Sequence, residues 1–272
     1  MHLTRHVTPE GPRWALDNAY LPPSFHLGLL LELPREAIAP FLAALPTEGE
    51  ADGDLLAPIE PAQEVWAAGV TYLRSRDARE AESQTGDIYT RVYVAARPEL
   101  FYKAAGWRVV APGGAIRVRP DSAWDVPEPE LTLVINRHGE IIGYCAGNDV
   151  SSRSIEGENP LYLPQAKVYN GSCALGPGIA IAAPDALRDI PIHIEIARNG
   201  ETVYTGEAST SQMKRAFEEL AAYLYRELDF PHGAFLMTGT CLVPPDDFTL
   251  TPGDIVTIRV GALELRLSLI HI

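Results

Sequence analysis

Short apolar runs, separated by turns that contain Pro or Gly, fill the chain from residue 101 onward and constrain its fold more than any other feature. Runs of this length are typical of β-strands, and they cover 131–135, 141–146, 178–182, 190–197 and 255–260. Because they do not alternate regularly with helical patterns, a doubly wound α/β fold is not expected. We therefore predict a β-rich α+β protein.

The beginning of the chain differs from this strand-rich part and predicts a small separate unit. Residues 1–60 are assigned to a small N-terminal α/β domain with its linker, and they include a helical pattern at 35–44. The linker, 46–61, is rich in Pro, Gly and acidic residues. A strand at 64–70 then begins the predicted main domain, 61–272.

Two helical patterns lie inside the predicted main domain. The segment 71–97 opens with a charged stretch that permits a helix, which is typical either of a solvated connection or of a lid over an active site. The second pattern, at 212–228, combines an apolar stripe with an acidic outer face. This combination predicts an amphipathic helix.

Composition excludes several classes of protein. The chain has 272 residues, of which 46% are hydrophobic, so it can bury a sizeable core. It carries 22 Lys and Arg against 36 Asp and Glu, a formal net charge of −14, which disfavours binding to nucleic acid or to an anionic membrane. The three scattered cysteines predict a reduced compartment, and the lack of a long apolar run or secretory pattern predicts a cytoplasmic protein.

Two glutamates, Glu128 and Glu130, alternate along a predicted strand and so project from the same face. Adjacent carboxylates repel each other, so the pattern indicates either a solvated acidic edge strand or a site for a hard cation such as Mg²⁺. Asp149 follows another apolar run, where it is either a helix N-cap or a third ligand of the same cation. Arg153 is then either a surface ion-pair partner or a neighbour of that site.

Lysine is rare in this chain. Only three of the 22 basic residues are lysines, namely Lys103, Lys167 and Lys214. A single lysine is usually a surface residue, but a desolvated lysine can lose its proton and act as a base, which arginine cannot. Residues 238–240 form a Thr-Gly-Thr sequence whose backbone N–H groups could hold an anion.

Six short motifs occur along the chain in a characteristic order. They are Phe101-Tyr102-Lys103, Glu128-Pro129-Glu130-Leu131, Asn148-Asp149-Val150-Ser151-Ser152-Arg153, Lys167 with Gly176-Pro177, Thr238-Gly239-Thr240 and Pro252-Gly253-Asp254. In this order they resemble the fumarylacetoacetate hydrolase family over about residues 65–262. The resemblance implies a mixed β-roll catalytic domain with a small N-terminal domain, and assembly into a homodimer or homotetramer.

The resemblance also implies which residues form the site. Mg²⁺, with Mn²⁺ or Ca²⁺ as alternatives, is expected at Glu128, Glu130 and Asp149. The residues implied to contact a small-molecule 2-keto acid substrate are Arg153, Glu156, Lys167 and Thr240. Of these, Glu156 departs from the family pattern, because many members carry Gln at this position.

The chain also departs from the C–C hydrolases of the family in one stretch. Those enzymes carry Asn-Tyr-x-x-His after the first strand, and the His activates water together with a downstream Glu. Here the stretch reads Thr71-Tyr72-Leu73-Arg74-Ser75, so Ser75 replaces the His. The sequence 167–177 in turn resembles the branch that dehydrates 2-keto-3-deoxy-arabinonate and similar sugar acids.

These features predict a dehydratase that converts a 2-keto-3-deoxy-pentonate into 2-oxoglutarate semialdehyde. In this hypothesis Lys167 removes a C3 proton, and the metal stabilises the resulting enolate. The C4 hydroxyl then leaves with help from a lid acid, for which Glu80 and Glu82 are the candidates. The alternatives are a C–C hydrolase or decarboxylase acting on acylpyruvates or oxaloacetate, an isomerase, and a non-enzymatic binding protein.

Overall fold

The computed structural model describes residues 1–74 and 88–270. Ser75, Glu80 and Glu82, in the predicted lid, lie outside these residues. In the described ranges no helix is long and apolar enough to cross a membrane.

Strands make up most of the described secondary structure. They are β1 His2–Thr8, β2 Gly11–Leu16, β3 Ala19–Tyr20, β4 Leu55–Leu56, β5 Glu64–Gly69, β6 Glu99–Ala105, β7 Ala115–Arg117, β8 Asp125–Val126, β9 Pro129–Ile135, β10 Ile141–Asp149, β11 Ser151–Ser152, β12 Cys173–Ile181, β13 Pro191–Arg198, β14 Glu201–Ser209, β15 Ala234–Met237, β16 Ile255–Val260 and β17 Leu263–Ile270. The α-helices are α1 Leu27–Leu30, α2 Arg35–Ala44, α3 Ile88–Val94, α4 Arg153–Glu158, α5 Leu163–Lys167 and α6 Phe217–Leu224.

The strands form two main sheets. The larger has the order β3-β2-β1-β12-β10-β9-β15-β5-β6, with β4 beside β1, and the smaller has the order β14-β13-β16-β17-β7. The pairs β15–β5 and β17–β7 are parallel, whereas the other pairs in both sheets are antiparallel. This mixed, strand-rich architecture confirms the predicted fold class.

The larger sheet buries both of its faces because alternate side chains of its central strands pack into two cores. Leu131 and Leu133 of β9 pack with residues of the smaller sheet and of α6, such as Ile194 and Leu220. Val134, on the opposite face, belongs to a second core that contains the N-terminal helices. A near-continuous apolar run is the pattern expected for a strand covered on both sides.

The N-terminal segment joins the larger sheet directly. Strand β1 pairs with β12, with Leu3 opposite Ile179, and therefore extends the sheet that carries β9 and β10. Helix α2 covers 35–44 as predicted. The predicted division of the chain at residue 60 stays a prediction.

The helix predicted at 212–228 is wrong in length, because α6 covers only Phe217–Leu224. The residues before it pair with another part of the chain instead of coiling. Met213 forms a β-bridge with Tyr72, and the Lys214 backbone N–H donates to the Thr71 carbonyl at 3.0 Å. Tertiary pairing has here overridden a helical sequence pattern.

Candidate active site

The pairing of β9 with β10 brings three carboxylates together. Glu130 lies opposite Gly147, Asp149 ends β10, and the Asp149 backbone N–H donates to the Glu128 carbonyl at 3.0 Å. One oxygen from each carboxylate lies within 4.8 Å of the others. Of the two alternatives for these glutamates, the solvated edge strand is excluded, because Glu128 and Glu130 are 3% and 1% exposed and β9 lies between two neighbours.

Three buried cations surround this triad. The Lys167 ammonium contacts Glu128 Oε2 at 2.8 Å and Asp149 Oδ2 at 3.0 Å. The Arg153 guanidinium pairs with Glu128 Oε1 at 2.9 Å. These contacts fix the orientation of two carboxylates at positions that solvent scarcely reaches, so the alternative of a surface ion pair for Arg153 is also excluded.

Lys103 contacts the triad from the side of Asp149. Its ammonium forms an ion pair with Asp149 Oδ1 and donates to the carbonyls of Val150, at 3.0 Å, and of Lys167. The side chain is fully buried. Lys103 thus links the Asp149 carboxylate to the backbone of Lys167, a role that its motif did not reveal.

Glu130 is held by the backbone, since its Oε2 accepts a hydrogen bond from the Gly239 N–H at 2.6 Å. Burial, together with the neighbouring Asp149 and Glu128 carboxylates, raises the pKa of Glu130 well above its ordinary value. A divalent cation would reverse this effect by favouring the ionised carboxylate. Three buried oxygen ligands of this kind fit a hard cation such as Mg²⁺.

A small cavity lies beside the triad. The predicted site residues that line it are Glu128, Glu130, Asp149, Glu156, Lys167 and Thr240. Among the described residues, the lining does not include Arg153, which pairs with Glu128 Oε1. Substrate contact by Arg153 therefore stays a prediction.

Glu99, a further carboxylate in the cavity wall, was not among the residues predicted from the sequence. The signal was present in the alternation of β6, because Glu99 and Phe101 share one face of that strand. Phe101 lines the cavity and lies 5.7 Å, measured from its ring centroid, from the Lys167 ammonium. Gly69 leaves room for Glu99, because a Cβ there would lie 2.1 Å from Glu99 Oε2.

The backbone at the cavity wall adopts two uncommon conformations. Val70 has a φ of +52°, which costs energy for a β-branched residue. Gly239 has a φ of +91°, and a Cβ there would lie 2.1 Å from Thr71 Oγ1. The Thr71 hydroxyl donates to the Thr238 carbonyl at 2.6 Å and so joins the two segments. Only a glycine fits at 239, where its N–H reaches Glu130.

The Pro-Gly-Asp motif is structural. Asp254 is fully buried and accepts two hydrogen bonds from the Arg198 guanidinium, at 2.8 and 2.9 Å. It also accepts the Thr251 backbone N–H at 2.9 Å. These contacts fix the turn before β16, and Asp254 is not among the described residues of the cavity.

Comparison with known proteins places this site in a family. Residues 64–268 match the family model for the C-terminal domain of fumarylacetoacetate (FAA) hydrolase. A probable 2-keto-3-deoxyxylonate dehydratase of Haloferax volcanii is 52% identical over 205 residues, which cover 74% of this chain and 70% of that protein. A 2-dehydro-3-deoxy-D-arabinonate dehydratase of Saccharolobus solfataricus is 43% identical over 211 residues, 75% of this chain and 70% of that protein.

Solved structures agree with these matches. A 2-keto-3-deoxyarabinonate dehydratase in a hexagonal crystal form superposes with a TM-score of 0.85 at 34% identity. A 2-keto-3-deoxy-D-arabinonate dehydratase complexed with magnesium and 2,5-dioxopentanoate superposes with a TM-score of 0.81 at 33% identity. Each comparison covers 100% of this chain and 99% of the other. The chain belongs to the fumarylacetoacetate hydrolase family.

Proposed function

We propose that this protein is a Mg²⁺-dependent dehydratase, a carbon–oxygen lyase that converts a 2-keto-3-deoxy-pentonate into 2-oxoglutarate semialdehyde (2,5-dioxopentanoate). The observation that carries the proposal is a buried carboxylate triad in direct contact with Lys167 beside a cavity. Relatives at 52% and 43% identity are named as dehydratases of such acids, and the magnesium complex of a structural neighbour contains 2,5-dioxopentanoate.

The residues that would hold Mg²⁺ are Glu128, Glu130 and Asp149, whose oxygens converge beside the cavity. When bound, Mg²⁺ supplies Lewis-acid polarisation of the keto and carboxylate oxygens of the substrate.

Lys167 is the proposed base at C3. Its amine lines the cavity, and the substrate would reach it from that side. Acceptance of the C3 proton converts the amine to an ammonium. Glu128 and Asp149, at 2.8 and 3.0 Å, stabilise that ammonium by charge-assisted hydrogen bonds.

An acid must then protonate the departing C4 hydroxyl, which leaves as water. Glu99 and Glu156 are carboxyl groups of the cavity wall outside the triad. We propose Glu99, because it lies on the same strand face as Phe101 and lines the same cavity as the three carboxylates of the triad. Loss of a C5 proton and tautomerisation complete the removal of one water. Glu80 and Glu82 stay candidates on sequence grounds alone.

The reaction is tested with purified protein, Mg²⁺ and both C4 epimers of 2-keto-3-deoxy-pentonate. We expect the semialdehyde to form, and we expect EDTA to abolish its formation. Acylpyruvate and oxaloacetate serve as control substrates for the hydrolase and decarboxylase alternatives. Cleavage of these controls without dehydration of either pentonate would contradict the proposal.

The role of Lys167 is tested by exchange of the C3 protons with deuterium in D₂O. Lys167→Met is expected to abolish both exchange and dehydration. Lys167→Arg is the matched variant, because it keeps the positive charge but is a very poor base. Exchange at the wild-type rate in either variant would exclude Lys167 as the base. Assembly into a homodimer or homotetramer and a cytoplasmic location stay predictions.

A further inference from the structure

Arg215 is a buried arginine that lies outside the cavity. It precedes α6 and is only 6% exposed. Its guanidinium donates to four backbone carbonyls, those of Val92, Ala95, Ala96 and Arg97, at 3.2, 2.8, 3.4 and 3.4 Å. These four residues belong to the segment 92–97, here called the 92–97 turn, which contains the end of α3 and the residues that lead into β6.

The chemistry of these contacts explains why an arginine occupies the position. The last carbonyls of a helix lack partners within that helix, and a cation near them is favoured by the helix dipole. A guanidinium offers five N–H donors in a rigid plane, so one side chain can satisfy several carbonyls together. Glu219 of α6 contacts Arg215 Nη1 at 2.7 Å and fixes the guanidinium from the other side.

Lys214 adds a second contact to the same turn. Its ammonium donates to the Tyr93 carbonyl and lies 4.5 Å from the centroid of the Tyr93 ring. Its backbone N–H donates to the carbonyl of Thr71, two residues after the end of β5. Residues 213–215 therefore connect the segment that follows β5 with the 92–97 turn.

The 92–97 turn lies between two residues of the cavity wall. Tyr89, which is 7% exposed, precedes it, and Glu99 follows it by two residues. We propose that Arg215 is a positioning residue, which holds the 92–97 turn so that Tyr89 and Glu99 keep their places in the cavity. The link to turnover through Glu99 rests on the proposed function, whereas the holding of the turn does not.

The test compares Arg215→Met with Arg215→Lys and with Arg188→Met. Arg188 is the matched control, because it is exposed and pairs with Glu218 of α6 at 3.0 Å, next to the partner of Arg215. Three quantities are measured on the full chain: hydrogen–deuterium exchange of peptides within 88–99, the Kd of Mn²⁺, and kcat/KM for the pentonate.

For Arg215→Met we expect faster exchange within 88–99 and unchanged exchange within 128–149. We expect kcat/KM to fall about 10–100-fold, the range for residues that orient catalytic groups, with the Mn²⁺ Kd within about 3-fold of wild type. Arg215→Lys keeps some of the donors, so its effects should be intermediate. Arg188→Met should match the wild type in all three quantities.

Wild-type exchange within 88–99 in Arg215→Met would overturn the proposal. A Mn²⁺ affinity that falls as far as kcat/KM would also overturn it, because that result indicates a general loss of structure. Should Arg215→Met fail to fold, Arg215→Lys decides by the same two criteria. Absence of pentonate turnover in the wild type would reject the proposed function, and the exchange data would still decide whether Arg215 holds the turn.

Discussion

The β9–β10 hairpin has a turn end, where Ile135 and Ile141 meet, and an open end, where Glu130 and Asp149 meet. Both ends are buried, but the turn end is built mainly from apolar residues and the open end carries acidic ones. Every residue of both strands is buried. At the turn end, Leu133 and Ile135 pack against Ile141 in an apolar core. At the open end, the same backbone pairing places Glu130 and Asp149 side by side.

The turn end shows how a buried polar group is accommodated for structure alone. Asn136 is fully buried, and its Oδ1 accepts the backbone N–H groups of His138 and Glu140 at 3.0 and 2.9 Å. Its Nδ2 donates to the Leu33 carbonyl at 2.9 Å and to Glu140 Oε2 at 2.8 Å. These contacts involve a single carboxylate, so no like charges are brought together. At the open end, by contrast, three acids repel one another and need cations, so burial there serves chemistry at a cost in stability.

The largest effect is expected for removal of a charge from the open end. Asp149→Asn should lower kcat/KM for the pentonate about 1000-fold, because Lewis-acid stabilisation is worth several kcal/mol. Steady-state kinetics across a range of Mg²⁺ concentrations measures this loss. Wild-type activity at saturating Mg²⁺ would show that the open end is not the catalytic metal site.

Lys103→Met should destabilise the metal-free protein by roughly 3–5 kcal/mol, the cost of leaving a buried charge without its partner. The affected charge is that of Asp149. Mg²⁺ should restore part of the loss, because it compensates the same carboxylate. Urea unfolding with and without Mg²⁺ measures both quantities, and a loss below about 1 kcal/mol would mean that Lys103 is not needed for charge balance.

Leu133→Ala tests the turn end. It should lower the stability of the protein without changing its affinity for the metal. Removal of this fully buried side chain should cost about 3 kcal/mol of unfolding free energy, within the range for leucine-to-alanine changes in cores. The Mn²⁺ Kd should stay within about 2-fold of wild type, since the cavity lies at the other end of the hairpin. A larger change in Kd would show that the two ends are coupled.

The smallest effect concerns the pH dependence of stability in the metal-free protein. The raised pKa of Glu130 means that the folded state holds this proton more tightly than the unfolded state. The resulting stabilisation is fully present below the unfolded pKa, near 4.5, and is lost as pH rises through the raised pKa. Glu130→Gln removes this loss.

Its unfolding free energy should therefore rise relative to wild type as pH increases from about 5 to about 8. Chemical unfolding of both proteins in EDTA at several pH values measures the difference. A difference that does not change with pH would contradict the assigned environment of Glu130.

Local pattern predicted much of the fold. The strand at Ile255–Val260 and the helix at Arg35–Ala44 have the predicted bounds. Segment 212–228 could not be predicted in the same way, because its first residues pair with Thr71 and Tyr72, which are distant in sequence. Pairing with residues that are distant in sequence does not show in the local hydrophobic pattern of the segment.

Some residues of the candidate site could be predicted from the sequence and others could not. Alternation and the family motifs predicted the triad and Lys167, which the structure brings together. Glu99 was missed because no motif contains it, although it lies on the same face of β6 as the motif residue Phe101. The carbonyl partners of Lys103 and Arg215 could not be inferred, because backbone carbonyls have no residue-specific signal in the sequence.

A Mn²⁺ titration of wild type and Glu130→Gln, followed by the EPR signal of free Mn²⁺, tests the central claim most directly. The central claim is that the open end of the β9–β10 hairpin is a divalent-cation site. We predict one site per chain in the wild type, competed by Mg²⁺, and an affinity lowered at least about 10-fold in Glu130→Gln. Equal Mn²⁺ affinity in the two proteins would contradict the claim.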